Sequence, residues 1–268
     1  MAELPVSIEV VPAGGLVARL RDRLPGSAVL AVTCLPQHGP ARTVDTAVGL
    51  VGAGSPAVPH RAARSGASRR ELAEYVSRFR DAGITGVFVV GGEAGEQAGP
   101  YAWSGGLLED LAELGGGSLR LGVAAYPEGH PDTAPDVLAE DLRSKQELAS
   151  WCVTQLCFSP EILAGFPARL RADGVTLPVW AGVPGPVHMT KLLTLAGRIG
   201  VGSSLGFLRR SAGGARTGSA VRQLLSSAAY DPSPLVRAIE GAGYAGLHVY
   251  SFNDLAGLAG SGLVGGSR

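Results

Sequence analysis

Charge is scarce in this chain. Only 17% of its residues are Asp, Glu, Lys or Arg, and 23 basic residues balance 23 acidic ones. With 46% apolar content, that scarcity argues against a long disordered tail and for a chain that folds. No basic stripe is present, which counts against a nucleic-acid partner on electrostatic grounds. Cysteine is scarcer still. Cys34, Cys152 and Cys157 have neither disulfide nor metal spacing and fit a reducing cytoplasm. No apolar run approaches the roughly 18–20 residues that span a bilayer, so no membrane partner is expected. The start, MAELPVSIEV, has an early acid and lacks the apolar segment of a secretory signal.

Three signatures of common chemistries are also missing. No G-x-G-x-x-G follows the first strand-like run, which counts against a dinucleotide-binding open sheet. No G-x-S-x-G elbow appears, and Gly202-Ser203-Ser204 lacks the spacing for one, so nucleophilic hydrolysis is not expected. No H-x-H or H-x3-H pair is present and no metal is expected, although separate strands could still assemble a His/Glu site. Cys34 and Cys157 read as small strand-end or core residues rather than nucleophiles.

Glycine (40 residues) and proline (18) are abundant, a pattern of many short turns between regular elements. Eight short apolar runs are expected to be strands, at 6–12, 28–36, 57–60, 86–92, 119–127, 151–158, 177–184 and 246–252. Between them lie helical patterns. The clearest, at 68–82, opens with Ser68 and Glu71 as a capping box. Leu72, Tyr75, Val76 and Phe79 lie on one face, and Gly83 is its stop. Others fall at 101–114, 133–149, 160–172 and 188–199, with extra helix near 204–210, 218–229 and 232–241. Eight strand–helix units favour an α/β fold of one kind, a single (β/α)8 TIM barrel formed by residues 1–268, with a doubly wound open sheet as runner-up. A homo-oligomer is compatible with the sequence.

In such a barrel, reactive groups gather at the carboxyl ends of the strands. The polar residues found there are Glu9, Thr33, Cys34, His38, His60, Glu93, Glu96, Tyr126, Glu128, His130, Gln155, His188, His248 and Asn253. The stretch AAYPEGHP (124–131) concentrates two prolines, a glycine, a tyrosine, a carboxylate and a histidine at one strand end. Glu9 is the most informative position, because it interrupts the apolar run Ile8-Val10-Val11. It is either a solvated carboxylate on an alternating strand or a carboxyl aimed into the barrel mouth. In the second case apolar neighbours would keep it protonated at neutral pH, as a general acid requires.

VSIEVVP, PHRAAR, VVGGE, AYPEGHP, VTQLCF, GVPGPVHMTKLL with GVGSSLGFLRR, and GLHVYSFN occur in one order along the chain. That ordered set resembles the methylenetetrahydrofolate reductases, closest to the short bacterial type without a regulatory domain. The resemblance implies a barrel that binds FAD, uses NADH or NADPH as co-substrate and reduces 5,10-methylenetetrahydrofolate to 5-methyltetrahydrofolate. It makes Glu9 the acid that protonates N10 of the folate. It assigns Thr33, Cys34, His60, Gly91, Gly92, Tyr126, His130 and Lys145 to the flavin, with Trp103 or Ser104 as further flavin-side residues. Glu93 stands where an aspartate touches both flavin and pterin, and Gln155 matches the pterin-binding glutamine. The chain departs from the pattern at Val10-Val11-Pro12-Ala13, which replaces F-F-P-P. Gly91 stands in place of an arginine, and Asp254 where an arginine is often found. These departures leave open a flavin-independent reductase with direct hydride transfer from NADH, a related folate one-carbon enzyme, and a folate- or flavin-binding barrel without turnover.

Overall fold

A computed structural model describes residues 4–24, 28–92, 99–131, 133–188, 230–261 and 263. Eight parallel strands close into a barrel in sequence order. They are β1 (Val6–Val10), β2 (Val29–Val32), β3 (Ala57–Ala62), β4 (Gly86–Val90), β5 (Arg120–Ala125), β6 (Trp151–Thr154), β7 (Val179–Pro184) and β8 (Gly246–Tyr250). The helices are α1 (Leu16–Arg21), α2 (Gly39–Gly52), α3 (Arg69–Ala82), α4 (Ser104–Gly115), α5 (Pro135–Lys145), α6 (Pro160–Ala172), α7 (Ser233–Ile239) and α8 (Leu255–Gly260). All eight expected strands are present, most of them shorter than the apolar runs that marked them. The helices expected at 188–199, 204–210 and 218–229 lie outside the described residues, apart from His188. Among the described residues, no helix is long and apolar enough to cross a membrane.

Period-2 alternation divides each strand between two environments. Ile8, Val10, Leu30, Val32, Leu247 and Val249 face outward into the layer shared with the helices. The helices answer with apolar stripes, as in α3, which buries Leu72, Val76 and Phe79. Both halves of the Ser68–Glu71 capping box form, and Gly83 ends the helix in the left-handed conformation at φ 75°.

The alternate positions point into the barrel, where large and small residues must interleave. Trp151 and Trp180 project into the interior near the amino-terminal ends of the strands. Gly122 and Gly246 make room for them: a Cβ on Gly122 would lie 2.3 Å from the Trp151 indole, and one on Gly246 would lie 2.5 Å from that of Trp180. Nearer the carboxyl end, Tyr250 crosses β7 to reach β6, donating from its hydroxyl to the Thr154 carbonyl at 3.1 Å. Gly182 permits the crossing, since a Cβ there would stand 2.1 Å from the Thr154 oxygen and 2.9 Å from the Tyr250 ring.

Candidate functional site

Glu9 sits one residue from the end of β1, in register with Ala31 on β2 and Tyr250 on β8. Its outward-facing neighbours Ile8 and Val10 are fully buried, so alternation turns the Glu9 carboxylate into the barrel mouth. Of the two readings open from the sequence, the inward one is observed. The surroundings differ from the apolar pocket expected. Glu9 Oε2 lies 3.5 Å from His248 Nε2 and 4.0 Å from His60 Nδ1, with 17% of the side chain exposed. The carboxylate therefore stands between two imidazoles and keeps a face toward the mouth.

The two histidines reach it for a simple reason. In β3 the pattern of alternate residues brings His60 inward, against the Phe88 ring at 4.8 Å. In β8 the outward pair Leu247 and Val249 leaves His248 and Tyr250 on the inner face, their rings edge to face at 5.0 Å. Burial pushes the His60 imidazole down from about 6.5 to about 4; the pull of Glu9 and the repulsion from His248 are smaller effects of opposite sign. His60 is thus a neutral ring at ordinary pH. Burial also raises the Tyr250 phenol well above its usual range, with Glu9 and Tyr126 adding to the effect. Tyr250 stays protonated and serves as a hydrogen-bond donor.

A sharp chain exit holds the β1 end in place. Asn253 adopts φ 61°, in the left-handed region that asparagine tolerates. Its amide bonds the Val11 backbone at both ends, accepting from the N–H at 2.9 Å and donating to the carbonyl at 2.8 Å. The Ser251 hydroxyl donates to the Glu9 carbonyl. Asp254, where the resembled family often has arginine, caps α8 by accepting from the Gly257 N–H at 3.2 Å.

The AAYPEGHP exit is a turn in which the Gly129 N–H donates to the Tyr126 carbonyl at 3.2 Å, with Gly129 at φ 82°. It brings the Tyr126 and His130 rings edge to face at 5.3 Å. Gln155 leaves β6 beside β5, its N–H donating to the Ala125 carbonyl at 2.7 Å, while its side-chain oxygen accepts from the Leu156 N–H at 2.9 Å. Thr33 ends β2 with its hydroxyl oxygen buried and without a hydrogen-bond partner. Cys34 is buried beside it in sequence.

On another side of the mouth, Lys145 is nearly buried. Its ammonium donates to Ser104 Oγ at 2.7 Å and pairs with Asp141. Trp103 precedes α4 and is 53% exposed, its ring lying over Gly105. The Gly91 carbonyl accepts from the Arg64 N–H at 3.2 Å, and Arg64 Nε donates to the Ala102 carbonyl at 3.3 Å. An arginine from the β3 exit therefore stands beside the glycine that replaces the family's arginine. Glu93 and Glu96 lie outside the described residues. His38 precedes α2, and His188 is exposed; neither joins the Glu9 cluster. Among the described residues, no three His, Cys, Asp or Glu side chains gather in a way that could hold a metal ion.

The roles of His248, Tyr250 and Arg64 were missed from sequence. The period-2 pattern of GLHVY carried the signal for the first two, because it puts both on the face opposite Leu247 and Val249. Arg64 follows β3 in a loop, where no periodicity reports direction.

Comparison with known proteins adds an independent observation. Residues 56–201, more than half of the chain, match a family model described as methylenetetrahydrofolate reductase. A protein of Pectobacterium carotovorum subsp. carotovorum named 5,10-methylenetetrahydrofolate reductase is 29% identical over 121 residues. That match covers 44% of this chain and 40% of the relative, so the chain aligns with less than half of that protein's length. Among solved structures, a Clostridium thermocellum protein that binds two copies of 5-methyl-5,6,7,8-tetrahydrofolic acid superposes with a TM-score of 0.59 at 14% identity. That superposition covers 97% of this chain and 93% of that one. An oxaloacetate acetylhydrolase in complex with oxalate gives a TM-score of 0.55 at 13% identity over 95% of this chain and 77% of the other. At these identities the likeness is one of fold.

Proposed function

Because the chain belongs to the methylenetetrahydrofolate reductase family, we propose that it reduces 5,10-methylenetetrahydrofolate to 5-methyltetrahydrofolate with NADH or NADPH as the electron source. The observation that carries this reading is the Glu9 carboxylate at the barrel mouth, held between His248 and His60. Opening the folate's five-membered ring requires a proton at N10, and Glu9 is the group placed to hold and deliver one. His60, neutral by burial, cannot act as a cation there at ordinary pH. His248 is the second proton-bearing group within reach of the carboxylate. Gln155 lies at the β6 exit, where its side chain can turn from the Leu156 N–H to a pterin edge.

The residues present fit a flavin. The buried, unpartnered Thr33 hydroxyl offers a hydrogen bond that the protein itself does not satisfy. Tyr126 and His130 supply an aromatic wall, Lys145 with Ser104 a cationic corner, and Arg64 beside Gly91 and Gly92 a second positive charge. FAD, when bound, would carry hydride from the nicotinamide to the folate. One observation favours a second reading. Lys145 is already paired with Asp141 and Ser104, which weakens its call on a phosphate and supports direct hydride transfer from NADH without flavin.

Anaerobic assay of the purified protein separates the two. NADH-dependent formation of 5-methyltetrahydrofolate with a yellow protein, lost when flavin is stripped and restored by FAD, supports the first reading. Equal rates in a colourless protein with no added flavin support the second. Folate binding without NAD(P)H oxidation under either condition would overturn both and leave a binding barrel.

A further inference from the structure

The barrel interior holds a second space, beneath Glu9 and toward the opposite end. It measures about 280 Å³ and is lined in part by the residues that open their strands: Val29, Gly86, Arg120 and Trp151. That size lies near the roughly 300 Å³ at which small-molecule sites begin. The two tryptophans and Phe88 make its walls aromatic.

Two polar groups in this space lack the partners their burial or charge calls for. Arg120 is exposed at the amino-terminal rim of this space, its guanidinium 5.7 Å above the Trp151 ring, and no carboxylate among the described residues pairs with it. His60 lines the same space from deeper inside, with only 8% of its side chain exposed. Its Nε2 is buried and has no hydrogen-bond partner. A buried polar atom left unpaired is destabilising, and such atoms are uncommon in folded proteins. Register gives the spacing between the two groups. Arg120 pairs with Gly86, and His60 pairs with Phe88, two residues further along β4. Two residues along a strand are about 6.6 Å, and the two strand spacings from β5 across β4 to β3 add about 9.6 Å at right angles. The two backbone positions therefore stand roughly 12 Å apart, a span that one benzene ring with a hydrogen-bonding group at each end bridges between the two side chains.

We propose that this amino-terminal cavity is a second ligand site, opening at the opposite end of the barrel from the Glu9 mouth and meeting it at His60 and His248, and that it takes a small aromatic carboxylic acid with a polar para substituent. The ring lies against Trp151 and Trp180. The carboxylate meets Arg120 at the exposed rim, where it keeps part of its hydration. The para group hydrogen-bonds His60 Nε2.

The probe is 4-hydroxybenzoate, with benzoate and phenol as partial ligands, measured by titration calorimetry and ligand-observed NMR on the full chain. The expected result is saturable one-to-one binding, at least tenfold weaker in Arg120→Gln and weaker for each partial ligand. Ala31→Leu, which projects into the space, should abolish binding while thermal unfolding stays cooperative. Should that variant fail to fold, Arg120→Gln decides alone, because its position is exposed. Absence of saturable binding to the folded protein overturns the proposal. Binding undiminished by Arg120→Gln also overturns it, by placing the ligand elsewhere.

Discussion

The buried imidazole of His60 makes stability depend on pH in a defined window. Its folded-state value of about 4 lies below the unfolded value of 6.5, so the unfolded chain binds more protons between them. Stability is therefore complete above pH 6.5 and falls as the pH drops toward 4. A gap of about 2.5 units at about 1.4 kcal/mol each corresponds to roughly 3 kcal/mol. Glu9 and His248 face the same ring, so the comparison is best made in a Glu9→Gln background. Urea unfolding at fixed ionic strength, from pH 7 to pH 4, measures the loss in that background with and without His60→Asn. The smaller asparagine lowers stability at every pH, but the slope is what is compared. The protein with His60 should lose about 3 kcal/mol more across the window than the one without it. Parallel curves would refute the account of a His60 ring kept neutral by burial.

Other predictions concern backbone and packing. Gly182→Ala places a methyl 2.1 Å from the Thr154 carbonyl and against Tyr250, and should destabilise by about 3 kcal/mol or more in thermal or urea unfolding. Gly49→Ala, inside α2 with its nearest neighbour at 3.6 Å, should stabilise by about 0.5–1 kcal/mol in the same measurement. Asn253→Ala loses both hydrogen bonds to Val11 and puts a Cβ residue less suited to φ 61° at the turn. It should cost about 2 kcal/mol, and Asn253→Gly should recover only the part due to the turn.

Much of the fold was legible because barrel strands carry local signals: short apolar runs, period-2 alternation and glycine or proline at the exits. Helix α3 was readable nearly to the residue, since Ser68, Glu71 and Gly83 are capping signals that act within the helix itself. Helices α1, α2 and α8 were not identified. The first and last are six residues long, and α2 carries three glycines and a proline, which blur its stripe. Within the candidate site, Glu9 stood out as a charge in an apolar strand. His60 and His248 were named as strand-end residues, but their pairing with Glu9 was not legible, because they are 51 and 239 residues away along the chain and only barrel closure brings them near. The Lys145–Asp141 pair is an i,i+4 pair within α5, which local spacing does encode. The contact of Lys145 with Ser104 depends instead on how α5 packs against the start of α4, which no local pattern encodes.

The central claim is that Glu9 delivers the proton that lets the folate accept hydride. It is tested most directly by anaerobic half-reactions of Glu9→Gln. The account predicts that the variant, loaded with FAD, still oxidises NADH at close to the parent rate. Its reduction of 5,10-methylenetetrahydrofolate should fall by a factor of about 10² or more. Folate reduction at the parent rate in the variant would contradict it.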